Sequence, residues 1–358
     1  MILSRYLMRS FIGRFVAMLA GLVIFLQTLD LLATANEILA GGGPPVTVLL
    51  RYVSLRSPSL IETLAPLAGL LGALTALIGM AKNSEILAMR AAGRSVFSLV
   101  GGLVAIGVGL SVMLFVFSEF VVVPANSNLQ DWRSAGFKSD GQVKADDNSW
   151  LMEGKTIIRV GHVAREGQVL NDIHLFRQGT HADITEIVTI RLAVWENEKW
   201  TLFDVARVGG PSGAGAETPP TWDTSLKPEH FIHEQAHPNQ LSINALQEYV
   251  GKVAIGSRPT YFYETWLQQK VAGPIVLALM PLLAAIAAFG HHRQGSAALT
   301  IVWGITFGFM FIVIDNILLA MGQFGSLPPS FAAWLPLALF ATGGIWIVFN
   351  FEHTGART

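Results

Sequence analysis

Residues 271–290 read VAGPIVLALMPLLAAIAAFG and contain no charged side chain. A helix needs about 20 consecutive apolar residues to cross the hydrocarbon core of a membrane, where its backbone polar groups must be satisfied internally. Five more stretches have this character: residues 15–32, 60–81, 96–118, 297 to about 321, and 330–349. The sequence therefore predicts a helical membrane protein with six transmembrane helices.

The charged residues are concentrated in the middle of the chain. Only 14% of the 358 residues are charged, against about 25% in an average soluble domain. Residues 121–268 hold 13 of the 24 Lys and Arg and 18 of the 25 Asp and Glu. We therefore expect three domains: helices one to three in residues 1–120, a soluble domain in 121–268, and helices four to six in 269–358. The net charge of −1 argues against nucleic-acid binding, and the lack of cysteine excludes disulfides and cysteine-ligated metals.

The orientation follows from the basic residues beside the short loops, because cytoplasmic loops are enriched in Lys and Arg. One side of the predicted bundle collects Arg5, Arg9, Arg14, Lys82, Arg90, Arg94, Arg293 and Arg357. The short connections of the other side offer only Arg51 and Arg56. Both termini are predicted to be cytoplasmic and the middle domain to lie outside the cytoplasm.

The middle domain has the pattern of an all-β fold. Aliphatic side chains recur at every second position, at Val188, Ile190, Leu192 and Val194. This period predicts a half-buried strand. Further strand-like runs occur at residues 156–160, 169–176 and 200–208, and a short amphipathic helix is expected at about residues 241–253. Together they suggest a β-sandwich or jelly roll.

Two short motifs resemble enzyme sites. His233, Glu234 and His237 form an HExxH pattern, the zinc-binding helix of a metalloprotease. Pro238 disfavours helical geometry at His237, so a solvated loop is the competing interpretation. Gly154-Lys155-Thr156 lacks the earlier glycine of a phosphate-binding loop. We therefore expect no catalytic residues, no metal and no nucleotide or other cofactor in this chain, with a membrane-tethered zinc protease as the alternative.

Three carboxylates fall within the apolar stretches, namely Asp30, Glu62 and Asp315. Ionisable groups in spans often mark a polar pathway, so a proton or ion relay is one hypothesis. The other is that these side chains reach water near the outer helix ends.

A short helix is predicted in the cytoplasmic connection at residues 83–93. Asn83 or Ser84 can begin it, Glu85 suits its first turn and Gly93 suits its end. Leu87 and its apolar neighbours would face the cytosol, which favours docking of this helix into the groove of a partner.

The same connection, NSEILAMRAAG, resembles the cytoplasmic signature of the lipopolysaccharide-export permeases of the LptF/LptG family. Its form Ser-Glu-x-x-x-Met-Arg-Ala-x-Gly is more like the LptG branch. Further similar pieces occur in order along the chain: Arg5-Tyr6-Leu7, Leu64-Ala65-Pro66-Leu67 with Gly69 and Gly72, residues 150–154 (WLMEG), Trp200-Thr201-Leu202, and Lys270 with Pro274.

The resemblance implies a permease of the Gram-negative inner membrane with a periplasmic jelly roll. Its implied partners are the permease LptF, a dimer of the ATPase LptB, which binds the ATP and magnesium, the proteins LptC and LptA, and lipopolysaccharide itself. Spans one and five would form lateral gates. Ser84, Glu85, Leu87, Met89, Arg90 and Gly93 would form the ATPase-coupling site, with Glu85 contacting the ATPase.

One departure from the family concerns the lipid phosphates. Related permeases carry basic residues near the outer end of span one, where this sequence has Asp30 and Glu37. Arg133 and Lys138 are the candidate substitutes, because a partly desolvated phosphate still needs cationic partners. Asp30 and Asp315 complete the candidate lipid contacts.

Overall fold

The computed structural model of the chain describes residues 2–93, 95–137, 149–153, 155–164, 167–178, 184–196, 199–208, 221–222, 224, 226–228, 231, 238, 241–251, 259–290 and 297–355. The chain divides into two compact units. The helical unit comprises Met1–Leu39, Pro44–Leu129 and Tyr261–Thr358, and the β unit comprises Ala40–Gly43 and Gln130–Thr260.

In the described part of the chain six helices are long and apolar enough to cross a membrane, the number that the sequence predicts. The helices before the sheet are α1 (Ile2–Ala40), α2 (Pro45–Lys82), α3 (Glu85–Ala91), α4 (Val96–Phe117) and α5 (Val123–Ser134), with a π-helical segment, Ser118–Val122, between α4 and α5. Those after it are α6 (Ile243–Gly251), α7 (Thr260–Gly290), α8 (Ala297–Gln323) and α9 (Pro329–Gly355).

The first two helices are much longer than the apolar runs that predicted them. The 38 residues of α2 extend about 57 Å at 1.5 Å per residue, whereas the hydrocarbon core is about 30 Å thick. The hydropathy pattern therefore located the membrane-embedded part only. A helix satisfies its backbone hydrogen bonds equally well in water, so nothing in hydropathy marks where it ends outside the membrane.

Glycines allow the helices of the bundle to approach each other closely. A Cβ atom added at Gly72 of α2 would lie 3.0 Å from the Cα atom of Phe15 in α1. One added at Gly107 of α4 would lie 3.0 Å from the Cα atom of Ala278 in α7. Small residues at crossings let backbones touch, which is the main source of helix association inside a membrane. These two contacts bring α1 onto α2 and α4 onto α7.

The β unit is built on one antiparallel sheet whose six described strands pair in chain order. They are β1 (Ser149–Glu153), β2 (Thr156–Ala164), β3 (Val169–Gln178), β4 (Ile184–Glu196), β5 (Lys199–Val208) and β6 (Thr221–Trp222). The strand-like runs predicted from sequence correspond to β2, β3, β4 and β5. The predicted amphipathic helix is α6. A two-sheet jelly roll is a further step beyond this sheet and stays a prediction.

A line of residues that lack ladder partners crosses the four central strands, β2 to β5. Gly161, Asp172, Arg191 and Asp204 lie opposite one another, and the ladder pairs on either side of them skip these positions. Asp172 and Asp204 have φ of 53° and 55°, a left-handed conformation that costs most residues energy. The irregularity therefore runs through the sheet as one continuous feature.

The unpaired line reverses which side of each strand faces the core. On β4 the buried residues are Val188 and Ile190 before the line and Ala193 after it. The alternation of aliphatic residues in the sequence predicts that Leu192 also faces the core, but its side chain is only half-buried. That part of the prediction was wrong because the left-handed aspartates on β3 and β5 interrupt the regular pleat.

Trp200 is the centre of the β-unit core. Its side chain is fully buried, and its indole nitrogen donates a hydrogen bond of 2.7 Å to the carbonyl oxygen of Leu226. The rings of Trp195 and Phe231 meet it edge-on, with centroid distances of 5.1 and 5.5 Å. This core is separate from the apolar core of the helical unit.

Candidate functional site

The connection between the second and third spans forms the predicted two-turn helix, α3. Ser84 has a positive φ of 58°, which ends α2, and its carbonyl oxygen accepts the first hydrogen bond of α3, from the Ala88 amide, at 3.0 Å. After Ala91, Gly93 has φ of 80°, a conformation that glycine adopts without a steric penalty. The local sequence signals for the start and the end of this helix are therefore confirmed.

Glu85 is held by two side chains of its own chain. The hydroxyl of Tyr6, at the start of α1, donates to Glu85 Oε2 at 2.8 Å, and Asn83 Nδ2 donates to Glu85 Oε1 at 3.2 Å. Both carboxylate oxygens thus have a donor while the side chain stays partly accessible. The Tyr6 contact joins α1 directly to α3 across 79 positions in sequence.

The other predicted coupling residues divide between the two sides of α3. Met89 is half-buried and packs, with Ile86, against the apolar core of the helical unit. Ser84 and Gly93 are exposed on either side of the helix. The backbones of Leu87 and Arg90 lie within α3, but their side chains are outside the described part of the structure. Met89 therefore anchors α3 to the bundle. A partner could reach Glu85 from the exposed side of α3.

Two of the six spans leave most of their apolar surface uncovered. In the apolar 18-residue segments of α1 and α8 only 11% and 17% of the residues are buried, against 78% in that of α7. The exposed side chains include Phe25 on α1 and Phe309 on α8, with exposed fractions of 61% and 65%. These are the spans that the resemblance to the permease family implies as lateral gates, and that role stays a prediction.

Asp30 on α1 forms an ion pair that the sequence reasoning missed. Its Oδ2 accepts hydrogen bonds from Tyr52 Oη at 2.7 Å and from Arg56 Nε at 3.3 Å, both on α2. The two helices are antiparallel neighbours, and residues 30 and 56 are about equally far from the turn between them. That symmetry is the sequence signal that could have identified the pair. Arg56 supplies a cation at the level where α1 has only a carboxylate.

Asp315 has a different partner on another helix pair. Its Oδ2 accepts a hydrogen bond of 3.4 Å from Gln269 Nε2, so α8 contacts α7 there. Asp30 and Asp315 are therefore held at separate contacts. Glu62, the third carboxylate in a span, is half-buried on α2.

Lys270 of α7 and Glu119 of the π-helical segment form a second ion pair, which local sequence patterns do not indicate. Lys270 Nζ lies 3.4 Å from Glu119 Oε2, and the exposed fractions of the two side chains are 11% and 22%. π-Helical segments often occur at functional sites. Lys270 lies about 30 Å along the axis from the end of α7, which places the pair at the far side of the apolar span from Gly290.

Arg133 is exposed in the last turn of α5. The neighbouring Trp132 is buried and packs edge-on against Phe137, with a centroid distance of 5.1 Å, so the end of α5 is fixed. The other residues of the sequence-derived sites, Lys138, His233, Glu234 and His237, lie outside the described residues. The suggested phosphate contact at Lys138 stays a prediction.

These features define a class of protein: a multi-pass membrane protein whose described residues form six apolar helices, an antiparallel β unit, and a short helix between the second and third spans. Residues 5–349 match the sequence model of the family described as lipopolysaccharide export system permease LptF/LptG. The chain belongs to this family.

Relatives named as LptG agree with the family match. The chain is 26% identical over 351 residues to the lipopolysaccharide export system permease protein LptG of Haemophilus influenzae, covering 97% of this chain and 98% of that protein. It is 23% identical over 337 residues to LptG of Escherichia coli K12, covering 93% and 92%. The similarity to LptG expected from the loop motif is confirmed, and the zinc-protease alternative has no support from the family or these relatives.

Proposed function

We propose that this chain is the LptG-like permease subunit of an ATP-driven exporter that extracts lipopolysaccharide from the outer leaflet of the inner membrane. Family membership and the similarity to proteins named LptG support this assignment. The basic residues beside the short loops support cytoplasmic termini and a periplasmic β unit.

The observation that carries the proposal is the uncovered apolar surface of α1 and α8. These two spans are far less buried than α7, so they are the helices with the most apolar surface open to lipid or to another subunit. A second permease subunit of the LptF type would face them, and the two subunits would enclose an apolar cavity. Lipid acyl chains can enter such a cavity at little hydrophobic cost.

Extraction needs external work. Each buried methylene contributes about 0.8 kcal/mol, so withdrawing a lipid with many acyl chains from the bilayer exceeds what thermal motion supplies. We propose that an ATPase dimer of the LptB type, which binds ATP and magnesium, supplies this work through α3. Glu85, partly accessible and held by Tyr6 and Asn83, is the contact residue.

The remaining partners follow from the family. We propose that LptC receives the lipid and that the β unit, closing as a jelly roll, passes it to LptA across the periplasm. Arg133 and Lys138 remain candidate phosphate contacts. Arg56 joins them, because its side chain is one-third exposed although it is paired with Asp30.

Site-specific photo-crosslinking tests the gate assignment. A photoreactive phenylalanine analogue at Phe25 or Phe309 should crosslink to lipopolysaccharide in membranes that contain all subunits, and the yield should change on addition of ATP. Trp346 on α9 is the matched control, because it is an aromatic side chain with a similar exposed fraction of 68%. Equal, ATP-independent crosslinking at all three positions would exclude α1 and α8 as gates.

A further inference from the structure

A groove with two different kinds of wall lies between α1 and α4, near the start of the chain. Its volume is about 1120 Å³, and all the residues that line it belong to these two helices. Neither Phe25, Phe309 nor Glu85 lines it, although Tyr6, which donates to Glu85, does.

The α1 wall carries the charge. Arg5, Met8, Arg9 and Ile12 recur with helical spacing and line the groove. Arg5 and Arg9 are exposed, and neither has a carboxylate within 4 Å among the described residues. Arg5 and Arg9 are about one helical turn apart on α1, and Ile12 continues the wall with an apolar side chain.

The α4 wall is apolar and nearly flat. Gly102, Ala105 and Gly109 recur at helical spacing along it, with Ile106 between them. A Cβ atom added at Gly109 would meet nothing within 4 Å. The backbone is therefore open at Gly109, whereas a Cβ atom added at Gly102 would lie 3.5 Å from Cδ1 of Leu7 on α1.

We propose that this groove binds an anionic phospholipid of the cytoplasmic leaflet, with its phosphate at Arg5 and Arg9 and an acyl chain along Gly102, Ala105 and Gly109. The proposal rests on the cytoplasmic orientation of the N-terminus proposed above, and it does not depend on lipopolysaccharide transport. Guanidinium groups bind phosphate oxygens with paired hydrogen bonds. The cytoplasmic leaflet supplies such anionic lipids at the depth of these arginines.

Charge favours a lipid over a helix from another subunit. The cytoplasmic ends of transmembrane helices are generally basic, so a partner helix in this groove would bring cations towards Arg5 and Arg9. An anionic headgroup removes that repulsion and leaves the apolar walls to the acyl chain. A bound lipid would also fill the space beside Tyr6, which lines the same groove.

Photoactivatable lipids test the proposal. The permease, with the subunits that co-purify with it, is reconstituted in phosphatidylcholine nanodiscs that contain a little phosphatidylglycerol carrying a diazirine in its acyl chain. A phosphatidylcholine probe of the same design is the comparison. Peptides covering residues 5–12 and 102–110 should be labelled more by the anionic probe, with about a fivefold preference for each arginine that contacts the phosphate.

Three variants make the test specific. The double variant Arg5→Gln with Arg9→Gln should bring the two probes to equal labelling, and Arg5→Lys with Arg9→Lys should retain the preference. Arg51→Gln, at an exposed arginine of α2 outside the groove, should change nothing. Gly109→Leu should lower labelling by both probes, whereas Gly101→Leu, also in open space on α4, should not.

Equal labelling of the wild-type groove by both probes, or a preference that survives removal of both arginines, would overturn the proposal. Crosslinking of the groove to a neighbouring subunit in place of lipid would also overturn it, since a protein segment would then be the occupant. None of these outcomes bears on lipopolysaccharide crosslinking at Phe25 and Phe309, so the two proposals fail separately.

Discussion

Glu85 connects the two ends of the proposed coupling path through a single carboxylate. One oxygen accepts a hydrogen bond from the hydroxyl of Tyr6 on α1, which is a proposed gate helix. The other accepts a hydrogen bond from the side chain of Asn83, just after α2. A partner that moves Glu85 therefore also pulls on α1. The hydrogen bond from Tyr6 is made to an ionised carboxylate, the stronger kind of hydrogen bond, so it can link a shift of α3 to α1.

Tyr6→Phe should separate ATP hydrolysis from transport. The ring remains and only the hydroxyl that bonds Glu85 is lost, so the complex should assemble and hydrolyse ATP. Lipopolysaccharide released per ATP should fall severalfold, because α1 is no longer linked to α3. Both quantities can be measured on the complex in proteoliposomes.

Two further variants serve as the defective and the neutral control for Tyr6→Phe. Glu85→Arg should impair assembly or ATPase coupling itself. Tyr261→Phe removes a hydroxyl from a partly exposed tyrosine of α7 and should behave as wild type. If Tyr6→Phe releases as much lipid per ATP as wild type while Glu85→Arg is defective, the link through Tyr6 has no role.

The sequence predicted the residues of this site that depend on local pattern and missed those that depend on distant partners. Ser84, Glu85 and Gly93 could be assigned because a helix start and end are encoded within a few positions. Tyr6 could not, because its partner lies 79 positions away. Arg56 lies 26 positions from its partner, and only the symmetry of α1 and α2 about their turn points to that pair. Such contacts exist only once the helices are packed.

At the scale of elements, the sequence likewise predicts the individual membrane helices but not the contacts between them. Hydropathy predicted all six membrane helices because the bilayer imposes a length on each one independently. It gave no indication of which helices touch, since a lipid-facing and a helix-facing apolar side chain look alike in sequence. The reversal of the buried face along β4 is a similar case, because it depends on Asp172 and Asp204 of the adjacent strands.

Gly107→Ala should destabilise the helical unit. The added methyl would lie 3.0 Å from the Cα atom of Ala278, so α4 and α7 would have to move apart at a cost of about 1 to 3 kcal/mol. The same change at Gly101 of α4 meets nothing within 4 Å and should be neutral or slightly stabilising, since alanine favours helix. Thermal unfolding of the two variants in detergent gives the comparison, and equal midpoints would mean that the crossing is looser than described.

At the scale of the whole molecule, the two units have separate apolar cores, one among the helices and one beneath the sheet. Each core is lined by residues of its own unit, so damage to one should leave the other folded. The division also suits the proposed function, in which membrane extraction and onward transfer are performed by different parts of the chain.

Trp200→Ala should unfold the β unit and leave the helical unit intact. The change removes the largest fully buried side chain and leaves the Leu226 carbonyl oxygen without its donor, so the local free energy of unfolding should fall by about 3 to 5 kcal/mol. Phe203→Ala on the same strand, where the side chain is 47% exposed, should cost much less. Hydrogen exchange of the full-length protein measures both, because protection should be lost in β2 to β5 and retained in α7. Loss of protection in α7 as well would mean that the two cores unfold as one.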